Sequence, residues 1–262
     1  MALSPRTRRS VFVTGASSGI GAALALELAA RGDTVWLGAR RLLPLQELVA
    51  RIQAAGGQAH AVVIDVADVG CVRDTLMRID DEAGGLDVVV ANAGVAGEHL
   101  SAWSGDVQDA ALVIGTNVTG AVATLMTLLP RMKARRRGQL VGISSLAAEV
   151  PLPLGALYGA SKAALSFWLD ALAPELEREG VVVTIVHPGF VRSPMNANKT
   201  FVMPFLQETG PAAALIADAI DQGRSWLRFP WPLALLSRLA AWLPRRWRAA
   251  GVRKTHASRH PH

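Results

Sequence analysis

One cysteine, Cys71, and one tyrosine, Tyr158, stand among 262 residues. A lone cysteine excludes an internal disulfide. With no paired Cys/His ligand spacing it also argues against a structural zinc site, so a reducing compartment, the cytoplasm, is expected. A lone tyrosine fixes in advance where a phenolic proton donor would stand. Also missing is any stretch approaching the ~20 apolar residues that a membrane-spanning helix needs. The opening MALSPRTRRSVFVTG runs from charge into a strand too short for the apolar core of a signal peptide. No internal repeat, low-complexity tract or linker divides the chain, so one domain over residues 1–262 is expected.

The formal net charge is +6 and the pI about 10.4. The basic excess gathers at Arg6, Arg8 and Arg9, at Arg131 to Arg137, and from Arg245 onward. No helix-turn-helix or RNA-binding signature accompanies it, so solvated basic faces are expected and nucleic acid is not expected as a partner.

What is present is apolar material, 51% of residues at a mean hydropathy of +0.29, enough to bury a large core. Short β-branched runs alternate with longer helical patterns, which predicts an α/β domain with a doubly wound parallel sheet and helices on both faces. Strands are predicted near 10–14, 34–38, 60–64, 87–91, 139–144, 181–187 and 225–229. Helices are predicted near 19–31, 43–54, 70–83, 105–134, 158–178 and 211–222. Pro174 is expected to interrupt and kink the fifth of these before Gly180 ends it.

The first strand leads into Thr14-Gly15-Ala16-Ser17-Ser18-Gly19-Ile20-Gly21. Glycines there let the backbone approach a pyrophosphate while a helix N-terminus faces its charge, which predicts a dinucleotide site. After the second strand comes Leu37-Gly38-Ala39-Arg40-Arg41, with no carboxylate to receive a ribose 2′-hydroxyl. Arg40, with Arg41 beside it, suits a 2′-phosphate dianion, so NADP(H) is expected over NAD(H). Asp65, with Val66 after it, and Asn92-Ala93-Gly94 fall at strand carboxyl ends, where open α/β sheets bind ligands. Asp and Asn also cap helices and make turns, and on the residues alone both roles stand.

The stretch Tyr158-Gly159-Ala160-Ser161-Lys162 sets a phenol and an ammonium four residues apart, on one face of a helix. Taken in order, TGASSGIG, ANAG, Asn117 in GTNVTG, Ser144-Ser145, YGASK and HPGFVRSP resemble the short-chain dehydrogenase/reductase family from about Val11 to Pro194. The resemblance implies a Rossmann-type sheet of about seven strands, a nicotinamide cofactor, and a homodimer or homotetramer. It implies Ser145, Tyr158, Lys162 and Asn117 as the catalytic set, with Tyr158 and Lys162 also touching the cofactor. It further implies that Pro188, Gly189, Val191 and Ser193 back the nicotinamide, with Ser193 where Thr is usual. Ala91 stands where the family more often has Asn.

Reducing a carbonyl leaves an alkoxide that needs a proton and a polarising donor. Tyr158 can supply the proton and Ser145 can hold the substrate oxygen. As a base, a tyrosine must fall by roughly 3 units from about 10. A neighbouring Lys162 typically supplies 1–3 units, and the oxidised nicotinamide the rest. Following the resemblance, Asn117 would hold a water that feeds protons through Lys162. His187 reads as a packed strand-end histidine.

A substrate lid is expected over about 194–210, where Phe201, Met203, Phe205 and Leu206 suggest an apolar substrate. The segment 225–249 carries Trp226, Trp231, Trp242 and Trp247 among leucines and arginines, with room for about three helical turns between Pro232 and Pro244. It suits a subunit contact or pocket wall, and also a peripheral membrane contact. The expected activity is hydride transfer between NADP(H) and a hydrophobic carbonyl or alcohol. The alternative is a catalytically silent NADP(H)-binding sensor or membrane-associated scaffold on the same fold. Sugar-nucleotide epimerase chemistry is disfavoured, since no sizeable C-terminal domain is present to hold the nucleotide sugar.

Overall fold

Val11, Phe12 and Val13 are fully buried, and every residue of the fourth strand is buried as well. Such runs form the centre of a parallel sheet covered on both faces. In the computed structural model, which describes residues 8–97, 106–151, 155–197, 203–244 and 246, seven strands make that sheet. They are β1 Ser10–Thr14, β2 Thr34–Ala39, β3 Gln58–Val63, β4 Val88–Ala91, β5 Gly138–Ile143, β6 Val181–Pro188 and β7 Trp226–Phe229. Their order is β3-β2-β1-β4-β5-β6-β7, and every pairing is parallel. The strand order reverses between β1 and β4, which opens a crevice at the carboxyl ends there.

Alternate side chains of β1 face opposite sides, Val11 and Val13 into one apolar cluster and Phe12 into the other. The first cluster takes in Leu24 and Leu28 of α1 Gly19–Ala30, Leu45 and Leu48 of α2 Leu42–Ala54, and Ile216 and Ile220 of α8 Thr209–Asp221. The second takes in Val72 and Leu76 of α3 Val69–Glu82, Leu125 of α5 Ala121–Met126, and Leu165 and Leu169 of α7 Ala156–Arg178. The layers and strand positions are those expected from the sequence, shifted by up to two residues at the strand ends.

Three expectations are corrected. The helix expected at 105–134 is divided into α4 Val107–Ile114, a π turn Gly115–Gly120, α5, and α6 Leu129–Arg135. Gly120 lies so close to the loop after β3 that a Cβ would sit 2.5 Å from the Val66 carbonyl oxygen, and the register shift accommodates that approach. The run Val107–Arg135, 29 residues, is long and apolar enough by length and composition to cross a membrane, contrary to the sequence reading. Half of its most apolar window is buried within the protein, which is how a core helix acquires that composition. α7 continues through Pro174 to Arg178, because Pro174 and Asp170, whose carbonyl loses a donor, are both exposed to solvent.

The basic stretch from Arg131 is not simply a solvated face either. Arg131 and Arg135 bond the buried Asp80 carboxylate at 2.9 and 3.0 Å. The C-terminal segment forms α9 Trp231–Ala241. Trp247, Arg245 and Arg248 lie outside the described residues, as does Phe201 of the expected lid.

Candidate active site

At the strand carboxyl ends lies a cavity of about 680 Å³. Residues at the carboxyl ends of β1 to β6 or in the turns after them all reach it, so the parallel register itself gathers residues far apart in sequence, from Gly15 to Asn196.

The first wall is the turn after β1. Gly15 and Gly19 have φ of +67° and +59°, and a Cβ on Gly15 would meet the Ala93 backbone at 2.8 Å. Gly21 does not line the cavity. A Cβ there would lie 2.4 Å from the Gly15 carbonyl oxygen, so its bareness lets α1 seat under the turn. Ser17, Ser18, Gly19 and Ile20 do line it. Asn92 is largely a fastener: its Nδ2 donates to the Thr14 carbonyl at 2.8 Å, while Asn92 N and Ala93 N donate to Thr14 Oγ1 at 3.0 and 3.1 Å. The sheet's switch point is thereby pinned between β1 and β4.

Arg40, Arg41, Asp65 and Val66 stand at the next edge of the same cavity. Arg41 donates to Ser17 Oγ at 3.2 Å. Arg40 is exposed and forms no hydrogen bond or ion pair with another described residue, so its guanidinium faces the cavity uncommitted. Asp65 is also exposed, and its carboxylate accepts from Ala67 N at 3.0 Å as part of a turn. Bare backbone beside a helix N-terminus, with a free guanidinium at the end of the adjacent strand β2, fits a phosphorylated dinucleotide.

At the other end, Ser145, Tyr158 and Lys162 line the cavity with Pro188, Gly189, Val191 and Ser193. Ser145 caps the short 3-10 turn Leu146–Ala148, its Oγ accepting from Ala147 N at 3.1 Å, which leaves the hydroxyl proton to be donated elsewhere. Lys162 is buried, 4% exposed, and donates to the Ile143 carbonyl at 2.8 Å. Desolvation lowers its pKa from 10.5 to about 8. Burial pushes the half-buried Tyr158 phenol above its ordinary value of 10.0, with the Ser145 hydroxyl opposing. These protein groups leave the phenol protonated, and the depression that base catalysis needs includes a contribution from the oxidised nicotinamide. The ammonium is 6.0 Å from the ring centre, and burial lowers its own pKa.

Asn117 stands behind the cavity wall. It is fully buried in the π turn and does not line the cavity. Its Oδ1 accepts from Val95 N at 2.8 Å, and its Nδ2 donates to the Val95 carbonyl at 2.8 Å and to Ser161 Oγ at 2.9 Å. Both amide protons are engaged, so the side chain clamps the loop after β4 to α7. Gly94 makes room for this clamp, since a Cβ there would lie 3.2 Å from both Asn117 Oδ1 and Lys162 Nζ.

Ser144 and His187 stand behind the cleft. Ser144 Oγ donates to the Lys162 carbonyl at 3.0 Å and lies 2.6 Å from Ser166 Oγ, which in turn lies 3.0 Å from His187 Nε2. His187 Nδ1 meets Glu149 Oε1 at 2.9 Å, and Arg228 bonds the same carboxylate. His187 is thus a packed strand-end residue.

Leu233 and Ser237 are lining residues that sequence reasoning did not name. Both belong to α9, which packs against β7 and the turn that follows Ser145. Their four-residue spacing was the available signal. Of the expected lid, Pro194, Met195 and Asn196 line the cavity, while Phe205 and Leu206 are exposed.

The profile of the short chain dehydrogenase family matches residues 9–201. An uncharacterized oxidoreductase of Myxococcus xanthus is 46% identical over 239 residues, 90% of this chain and 93% of that protein. A short-chain dehydrogenase from Sphingobium yanoikuyae, solved in complex with NADPH, superposes with a TM-score of 0.79 at 25% identity, covering 97% of both chains. A 3-oxoacyl-[acyl-carrier protein] reductase from Brucella melitensis, solved with bound NAD, gives 0.75 at 27% identity, covering 86% of this chain and 91% of that one.

Proposed function

The chain belongs to the short-chain dehydrogenase family, and from that premise we propose that it is an NADP(H)-dependent carbonyl reductase or alcohol dehydrogenase acting on an apolar substrate. The observation that carries the reading is the convergence of Ser145, Tyr158 and Lys162 in one cavity with the glycine turn and the uncommitted Arg40. Solved relatives hold NADPH in one case and NAD in another, so the preference for NADP(H) rests on Arg40, with Arg41 beside it.

When bound, the nicotinamide supplies or accepts the hydride. The chain's own residues handle the oxygen and its proton. Ser145 Oγ–H donates to the substrate oxygen and polarises it. The Tyr158 phenol, held protonated by burial, gives its proton to the developing alkoxide, a far stronger base than a phenolate. Lys162 holds α7 to the end of β5 through the Ile143 carbonyl and brings positive charge near the phenol. Asn117 acts as a positioning residue through its clamp on Val95 and Ser161. Pro188, Gly189, Val191 and Ser193 form the wall on the nicotinamide side. Asp65, Val66, Asn92, Ala93 and Gly94 form the adenosine-side floor.

NADPH oxidation followed against a panel of hydrophobic ketones tests the reading. Turnover should appear with at least one ketone and vanish in Tyr158→Phe while NADPH binding persists. Undiminished turnover in that variant rejects the assigned mechanism. Tight NADPH binding with no turnover on any carbonyl or alcohol would favour the silent-sensor alternative.

A further inference from the structure

The helix α9 is apolar on both sides, and only one side is covered. Leu233, Ala234 and Ser237 face the protein, while Trp231, Leu235, Leu236, Leu239, Trp242 and Leu243 are exposed, Trp242 by 90%. A helix apolar all round belongs in a core or against lipid. Among the described residues nothing covers the outer side of α9.

Charge identifies the occupant. Nine of the 27 Lys and Arg but none of the 21 Asp and Glu follow Asp221, so the segment from Gln222 carries +9 and the chain before it −3. Arg238 and Arg246, both exposed, flank the apolar side. Exposed Trp and Leu bordered by arginines, with no carboxylate within the segment to repel phosphate, match an anionic lipid surface. A second copy of this chain would bring Arg238 and Arg246 against like charges.

We propose that α9 seats the protein on anionic membranes, its Trp231–Leu235–Leu239–Trp242 side entering the headgroup boundary and its arginines meeting lipid phosphates. The opposite side of the same helix carries Leu233 and Ser237 into the cavity wall, so the cleft lies about one helix diameter, roughly 10–12 Å, from the lipid. The substrate class that this placement serves is a carbonyl or alcohol borne on a long apolar chain and partitioned into the bilayer. That second step rests on the oxidoreductase reading above, whereas the docking does not.

Flotation of the full chain with vesicles of equimolar phosphatidylglycerol and phosphatidylcholine reads the docking without turnover. Wild type should float with these vesicles and stay in solution with phosphatidylcholine alone. The double variant Leu235→Glu with Leu239→Glu should lower the floated fraction about tenfold, and Arg238→Glu with Arg246→Glu should lower both the floated fraction and its dependence on salt. NADPH binding, measured on each variant, shows that the fold is intact. Equal soluble fractions with and without anionic vesicles overturn the proposal. So does light scattering that shows wild type as an oligomer which the leucine variant dissociates, because a second copy then covers the face. Absence of ketone turnover in a protein that floats would reject the oxidoreductase reading and leave the docking standing.

Discussion

The Lys162 ammonium donates to the Ile143 carbonyl at 2.8 Å and lies 6.0 Å from the centre of the Tyr158 ring. Among the described residues no carboxylate pairs with it. Its pKa of about 8, against 10.5 for an ordinary lysine, comes from desolvation. Between those two values the unfolded chain binds more protons than the folded one, so stability rises with pH through that window. Below about pH 8 the buried charge destabilises the fold, by up to about 3 kcal/mol for a shift of this size. Lys162→Met should therefore raise Tm at pH 7 by several degrees while abolishing turnover, and the gain should shrink as pH approaches 10. Thermal melts across that range check it, and a lower Tm in the variant at pH 7 contradicts it.

Arg40 gives the second prediction. Its guanidinium borders the cavity without a protein partner, so removing it disturbs no internal contact. A charge-assisted pair with a 2′-phosphate is worth about 1.5–3 kcal/mol. Arg40→Ala should weaken NADPH binding about 10- to 100-fold and leave NADH binding within about twofold. Fluorescence titration of both dinucleotides decides it. NADH binding to wild type as tightly as NADPH would show that Arg40 reads no phosphate.

Asp80 supports the third. The carboxylate is 3% exposed, and it accepts from Leu86 N at 2.7 Å, from Arg135 and from Arg131. Burial works to raise its pKa, but the hydrogen bonds from Arg135, Leu86 N and Arg131 outweigh it and hold the group below 3.8. A depressed carboxylate stabilises fully above its unfolded value, and that stability is lost as pH falls through the folded value. Asp80→Asn should cost about 2–3 kcal/mol at pH 7, because two arginines lose a buried counter-charge. Urea unfolding should show the gap between wild type and variant closing as pH drops from about 5 to about 3. A gap independent of pH would mean the loss is one of packing alone.

Local features carried much of this into the sequence. The strands were legible because buried β-branched runs and the turns that end them are encoded within a few residues. Tyr158 and Lys162 share a helix, and the glycine turn is contiguous. The rest depended on partners far away in sequence. The amide of Asn117 is engaged by Val95 and Ser161, 22 and 44 residues distant, so no motif could show that it faces away from the cavity. Arg131 and Arg135 looked like a solvated face because Asp80 lies 51 and 55 residues before them. A spacing of four residues reports that Tyr158 and Lys162 are near one another, but the desolvation that raises the phenol's pKa comes from the packed site.

Gly189 and Leu233 yield the last prediction. Gly189 N donates to the Phe229 carbonyl at 2.7 Å, which ties the loop after β6 to the end of β7 just before α9 begins. A Cβ on Gly189 would lie 2.8 Å from Leu233 Cδ2 and 2.9 Å from Pro230 Cδ, so loop and helix meet with no spare room. Leu233 is therefore held in the lining of the cavity that also holds Ser145 and Tyr158, where its bulk is expected to bound the substrate's space. Leu233→Ala should open that space and lower KM for bulky ketones relative to small ones. Leu233→Trp should raise KM for the bulky ones about tenfold. NADPH affinity should stay unchanged in both, because the glycine turn and Arg40 are untouched. Gly189→Ala should instead push α9 outward and impair both parameters together. If Leu233→Trp altered NADPH binding and left the ratio between ketones unchanged, α9 would form part of the cofactor's wall and not the substrate's.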